Sequence, residues 1–101
     1  MNTITTKNPF TQNDIKTYQL LTDEELEQKL DVAQGQFGNW KQVGIKERCS
    51  LLKKVAELLL DRKERYAKLI AEEMGKPISQ GISEIEKCAW VCDFYAKNAE
   101  D

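Results

Sequence analysis

Glu72-Glu73-Met74-Gly75-Lys76-Pro77 is the stretch on which the reading of this chain turns. A glycine one residue past an apolar-periodic run, with a proline two residues further on, is the order that ends a helix. Glycine takes the left-handed closing conformation without a Cβ clash, and proline prevents the helix from resuming. Upstream of this stop, Tyr66, Leu69, Ile70 and Met74 recur at helical spacing. Downstream, a further helix is expected over about Ile78 to Glu100. Ile82, Ile85, Ala89, Cys92 and Ala96 lie on one line, with Cys88, Val91 and Tyr95 beside it.

Moving towards the N-terminus, a helical pattern covers about Lys46 to Leu60, with Leu51, Leu52, Val55, Leu58 and Leu59 expected on its buried side. Asp61 either interrupts this helix or caps the next one, so residues 46 to 74 form one kinked helix or two. The charges of Asp61-Arg62-Lys63-Glu64-Arg65 read as a solvated face with pairing four residues apart. Before a loop through Gly44, Thr22-Asp23-Glu24-Glu25 is a capping box that starts a helix at residue 23. Leu21 and Leu26 are placed as a hydrophobic staple, and the three acids complement the positive end of the helix. Leu26, Leu30, Ala33, Phe37 and Trp40 form its apolar stripe, the aromatic pair expected in a core, while Gly35 and Gly38 weaken the last turn. The first residues read as a hairpin, Thr3 to Lys7 and Ile15 to Leu20 around Asn8-Pro9-Phe10-Thr11-Gln12-Asn13. The expected organisation is therefore a hairpin over 1–21 and a single truncated helical domain over 22–101, a mainly α chain of four helices.

At 101 residues the chain has room for one modest domain with a thin core. Its 15 basic and 17 acidic residues are interleaved and leave a net charge of -2, which lacks the concentrated basic face of a nucleic-acid binder. No stretch approaches the ~20 apolar residues of a membrane span, and the first residues lack the apolar run of a secretion signal. Three cysteines, an odd number, read as reduced thiols, so a cytoplasmic location is expected. With no histidine, neither a Ser-His-Asp nor a Cys-His arrangement can be built, and a four-ligand structural zinc site has no ligand set.

Three stretches, taken in order, resemble the start of the aldehyde dehydrogenase superfamily: Asn8-Pro9-Phe10-Thr11, then Glu47-Arg48 with Leu51-Leu52-Lys53-Lys54-Val55-Ala56-Glu57-Leu58-Leu59, then Glu72 to Pro77. The continuation Ile78-Ser79-Gln80-Gly81 and Glu84-Ile85-Glu86-Lys87-Cys88-Ala89 is most similar to the succinate-semialdehyde dehydrogenase branch. The similarity covers essentially residues 6 to 100. One departure lies in the hairpin turn, where relatives usually carry Thr-Gly-Glu and this chain has Thr11-Gln12-Asn13. Its turn must then use Asn13, or a different turn type, to reach a positive φ.

The resemblance implies an α/β enzyme about three domain lengths long, using NAD or NADP and assembling as a homo-oligomer. In that family a cysteine thiolate attacks the aldehyde, a hydride passes to the nicotinamide, and a glutamate activates the releasing water. None of those residues falls within this chain, and Cys49, Cys88 and Cys92 do not match the nucleophile's motif. No catalytic and no cofactor-binding residue is therefore expected here, and the isolated chain should be inactive, with the remainder of the dehydrogenase as its partner. The resemblance also places a monovalent cation against backbone oxygens and one carboxylate at Thr6, Lys7 and Glu73. It sets Gln80 and Glu84 at the rim of a substrate tunnel. The contrasting expectation is a free-standing helical interaction module that self-associates through exposed apolar faces.

Overall fold

The computed structural model describes residues 2–101, and its elements run β1 (Thr3–Lys7), β2 (Asp14–Gln19), α1 (Asp23–Trp40), α2 (Ile45–Asp61), α3 (Lys63–Met74) and α4 (Ile78–Asn98). Strands β1 and β2 form a two-stranded antiparallel hairpin. Thr5 faces Thr17 with their hydroxyls 2.8 Å apart. The register shifts between Thr6, opposite Lys16, and Lys7, opposite Asp14, so Ile15 is the extra residue of a bulge. That shift is why the second strand starts at Asp14, one residue before the expected Ile15. The turn also differs from expectation: Gln12, with φ of 66°, takes the left-handed conformation that Asn13 was expected to supply. It is held there by its side-chain amide donating to the Pro9 carbonyl (3.0 Å) and its backbone N–H donating to the Asn8 carbonyl (2.8 Å).

Helix α1 begins as the capping box requires. The Thr22 hydroxyl accepts from the Glu25 N–H (3.2 Å), and the Glu25 carboxylate accepts from the Thr22 N–H (2.9 Å). Its apolar stripe stays largely uncovered. No residue of α1 is buried, and Phe37 and Trp40, expected in a core, stand 56% and 46% exposed.

The packed body consists of α2, α3 and α4, with α4 lying against both of the others. Residues 46 to 74 form two helices, broken at Arg62, whose φ of -107° and ψ of 15° leave the helical region; Asp61 is the last residue of α2 and caps nothing. Lys63 does not pair within its own charged run but reaches Glu86 on α4 at 3.1 Å. Small residues make the crossings: Ala56 and Ala67 from α2 and α3, and Gly81 and Ala89 from α4, with Ile85 between them. On α2 Ala56 is buried and Leu52 and Leu59 are half-buried beside it; Leu51, Val55 and Leu58 are exposed, against expectation.

A compact chain of this length has a radius of gyration of about 13 Å, yet the observed value is 17.8 Å, with extents of 47 × 41 × 17 Å. The least extent, 17 Å, is under half of either of the others, so the molecule is flat. The exposed surface of 8230 Å² likewise exceeds the roughly 5,800 Å² of a folded monomer of this mass. The molecule is a thin body with apolar residues left on its surface. No helix among the described residues is long and apolar enough to cross a membrane.

Candidate functional site

The residues singled out in the sequence gather where the hairpin meets the helix stop. Gly75 closes α3 with φ of 70° and ψ of 18°, its N–H donating to the Ala71 carbonyl. The hairpin turn sits directly on it, since a Cβ at Gly75 would stand 2.9 Å from Pro9 Cγ. The turn is fixed from inside by Asn8, whose side-chain oxygen accepts from the backbone N–H groups of Phe10 (2.9 Å) and Thr11 (3.1 Å). The two structurally peculiar parts of the sequence, the Asn-Pro turn and the Gly-Lys-Pro stop, are thus one joint.

At this joint the Thr6 hydroxyl lies 3.4 Å from a Glu73 carboxylate oxygen and also 3.4 Å from the Lys16 carbonyl. A single O–H shared between two acceptors at that range is a weak tie. Lys7 takes no part through its side chain, which is exposed and paired with Asp14. Of the cation trio, then, Thr6 and Glu73 come together and the Lys7 ammonium turns away. Oxygen is available nearby, because the carbonyls that follow Ala71 in the last turn of α3 have no helix amide left to accept from. Among the described residues no three His, Cys, Asp or Glu side chains form a metal-binding group. Any cation here depends on main-chain oxygens together with Glu73.

On the other side of the stop, Gln80 and Glu84 lie one turn apart on α4 and line a shallow cleft with Ser79 and Ser83. The Ser83 hydroxyl donates to the Ser79 carbonyl at 3.1 Å. Glu84 is ion-paired with Lys76, which ties the residue between Gly75 and Pro77 to the second turn of α4. Reading the sequence did not foresee this pair. Eight residues and a helix stop separate the partners, so no fixed spacing marks them. Cys49, Cys88 and Cys92 are free thiols on α2 and α4. Cys88 and Cys92 share an apolar groove with Glu84, Lys87 and Val91.

A second unforeseen feature is Arg48, whose side-chain Nε is buried and has no hydrogen-bond partner among the described residues. A hidden donor of this kind costs about 1–3 kcal/mol if left unmade. Ion pairs within the described residues join Lys7 to Asp14, Lys63 to Glu86, Lys76 to Glu84 and Lys97 to Asp93, and Arg48 is in none of them.

Comparison with known proteins places this geometry in context. The model of the aldehyde dehydrogenase family matches residues 1–101. A probable NADP-dependent succinate-semialdehyde dehydrogenase of Synechocystis sp. is 40% identical over 98 residues, 97% of this chain and 22% of the relative. A succinate semialdehyde dehydrogenase of Escherichia coli using NAD or NADP is 33% identical over 91 residues, 90% of this chain and 20% of its own length. The crystal structure of the succinic semialdehyde dehydrogenase of Streptococcus pyogenes with NADP+ superposes with a TM-score of 0.88 at 29% identity, over 95% of this chain and 21% of that one. This chain therefore spans about a fifth of the length of the relatives it matches. The motif series, the hairpin joined to the helix stop and the family match over every residue agree: the chain belongs to the aldehyde dehydrogenase family.

Proposed function

We propose that this chain is the N-terminal helical shoulder of the cofactor-binding domain of an aldehyde dehydrogenase. In this reading the complete enzyme oxidises succinate semialdehyde to the acid, with NADP as the preferred acceptor. The observation that carries the proposal is the family match over residues 1–101, combined with relatives about five times longer. The shape supports it independently. A thin body with apolar side chains left uncovered is how a structural layer looks when the layer it packs against is not in view. The substrate and the acceptor follow the names of the relatives, which are succinate-semialdehyde dehydrogenases using NADP.

On this reading the isolated chain does no chemistry. It contains no histidine, and its three free thiols lie on helices α2 and α4 at positions that do not match the family's nucleophile. Its part is to support the domain that holds the cofactor. A monovalent cation fits the joint through the Glu73 carboxylate and the main-chain oxygens of Thr6 and Lys7, where it would brace the hairpin against α3. Gln80 and Glu84, in the cleft at the start of α4, belong on this reading to the mouth of the substrate tunnel, with Lys76 holding Glu84 in place. A cytoplasmic, homo-oligomeric enzyme completes the proposal.

The test is an assay of the purified chain, free of any host dehydrogenase, with succinate semialdehyde and NADP+ or NAD+. No cofactor reduction above the buffer rate is expected, and turnover that co-purifies with the chain would refute the reading. The alternative, a helical interaction module acting alone, is favoured by one observation, the exposed stripe of Leu26, Leu30, Phe37 and Trp40 on α1. It predicts a native polypeptide that is no longer than this chain.

A further inference from the structure

The thiols take no part in the reading above. Cys49 lies on α2, whereas Cys88 and Cys92 lie one turn apart on α4. Residues four apart share a helix face, with Cβ atoms about 5–6 Å from each other. Both thiols line the groove that Glu84, Lys87 and Val91 complete, Cys88 exposed and Cys92 half-buried. That spacing excludes one fate and favours another. A disulfide needs Cβ atoms about 3.5–4.5 Å apart, so this pair cannot close on itself without unwinding the helix. Its sulfurs stay available to an ion standing between them. Thiolate bonds to a metal of zinc's size run to about 2.3 Å, so a linear ion holds its two sulfurs about 4.6 Å apart. The Cβ spacing accommodates that span once each sulfur leans towards the other.

The charges of the groove select the ion. Glu84 is taken up by Lys76, and Lys87 is in no ion pair among the described residues. The groove therefore carries one uncommitted ammonium beside two thiols. Each thiol that ligates a metal gives up its proton and brings one negative charge. A divalent ion would cancel both thiolates and leave Lys87 unanswered, whereas a monovalent ion leaves one negative charge for Lys87 to balance. Ligand number leads to the same ion. Thiolates favour copper(I), zinc and iron–sulfur clusters. Zinc sites and such clusters take four ligands, and no third His, Cys, Asp or Glu joins this pair among the described residues. Copper(I), with its closed d shell, is satisfied by two sulfurs in line.

The geometry points to Cys88 and Cys92 as a two-coordinate site for a soft monovalent cation, copper(I), with the Lys87 ammonium balancing the charge of the complex. Two S–H bonds break, two copper–sulfur bonds form and two protons leave for solvent, with no change in oxidation state. The site stands on residues of this chain alone and does not depend on the dehydrogenase reading.

The test is an oxygen-free titration of the full chain with copper(I), against a chromophoric copper(I) chelator as competitor. Wild-type chain is expected to take up one ion per chain, to release two protons, and to show two sulfur neighbours and no third ligand by X-ray absorption. Cys88→Ser and Cys92→Ser should each weaken binding at least about a hundredfold, the advantage that two linked ligands hold over one. Cys49→Ser should leave the affinity unchanged. Lys87→Gln should weaken binding roughly twofold to fivefold, as fits one exposed charge, and Lys87→Arg should restore it. The wild-type spectrum and stoichiometry decide the matter even where a serine variant loses helicity. A third ligand, or copper that joins two chains, would overturn the site. So would a Cys88→Ser or Cys92→Ser chain that binds as tightly as wild type, or an equal loss in Cys49→Ser. Unchanged affinity in Lys87→Gln would overturn the part given to Lys87.

Discussion

Gly81 on α4 lies so close to Ala67 on α3 that a Cβ on the glycine would stand 3.0 Å from the alanine Cα and 3.1 Å from its carbonyl oxygen. The atoms met are backbone, which cannot rotate away. Replacing an interior helical glycine by alanine ordinarily gains roughly 1 kcal/mol, whereas overpacking a closed contact costs about 1–3 kcal/mol. Ala67 is fully buried, so the clash prevails. Gly81→Ala is expected to lower the denaturation midpoint, and Gly81→Leu to separate α3 from α4, read as loss of the cooperative transition. A midpoint raised by Gly81→Ala would show that the two helices cross more loosely than these distances require.

Gly35 and Gly38 give the opposite result for the opposite reason. Each lies within α1 and nothing stands within 4 Å of a Cβ placed on it. Only helix propensity is then in play, at roughly 1 kcal/mol per site. The double change Gly35→Ala and Gly38→Ala should raise helical ellipticity while leaving the melting of the α2–α4 body unmoved. A shift of that melting would reveal a contact between α1 and the body.

The capping box of α1 makes a related prediction. Loss of the Thr22 hydroxyl forfeits about 1 kcal/mol, and α1 has no buried residue to make up the difference. Thr22→Ala should speed amide exchange in residues 23–27 several-fold, with exchange in α4 unchanged. Uniform acceleration across the chain would contradict the independence of α1.

At the hairpin joint, Gly75→Ala meets two penalties: a left-handed φ of 70° and a Cβ 2.9 Å from Pro9 Cγ. The conformational cost alone is about 1–2 kcal/mol. Cross-peaks in nuclear magnetic resonance spectra between the Pro9 ring and residue 75 should vanish, and the hairpin should exchange its amides faster. By contrast Glu84→Gln breaks only a half-exposed ion pair with Lys76, worth about 0.2–1 kcal/mol. It should shift the midpoint slightly at low salt and not at all at high salt.

The elements were largely legible in the sequence because their ends are chemically marked. Thr22 with Glu25 opens α1, and Gly75 with Pro77 closes α3 and starts α4. Local hydrogen bonding and backbone sterics fix such ends without tertiary help. What the sequence concealed depends on neighbours. Leu51, Val55 and Leu58 carry the helical period of a buried side, but periodicity only says that a face is apolar, and here the small Ala56 turns towards α4 instead. Phe37 and Trp40 mislead in the same way. The bulge at Thr6 and Lys7 was equally hidden, because both strands are polar and mostly exposed, so no apolar alternation marks their register.

The candidate site was legible only in part. Thr6 and Glu73, 67 residues apart in sequence, come within 3.4 Å, a proximity that no spacing in the sequence marks. The pairing of Lys76 with Glu84 and the isolation of Arg48 were not visible, since both are facts of placement rather than composition.

The central claim is that this helical layer was shaped to be covered by the rest of a dehydrogenase polypeptide. The most direct measurement is the mass of the native polypeptide that carries this sequence, captured from its own cells with an antibody against α1 and read by intact mass spectrometry. A chain about five times the present length is expected, in keeping with the fifth of the relatives spanned here. A native polypeptide of the present length, monomeric at high concentration, would contradict it.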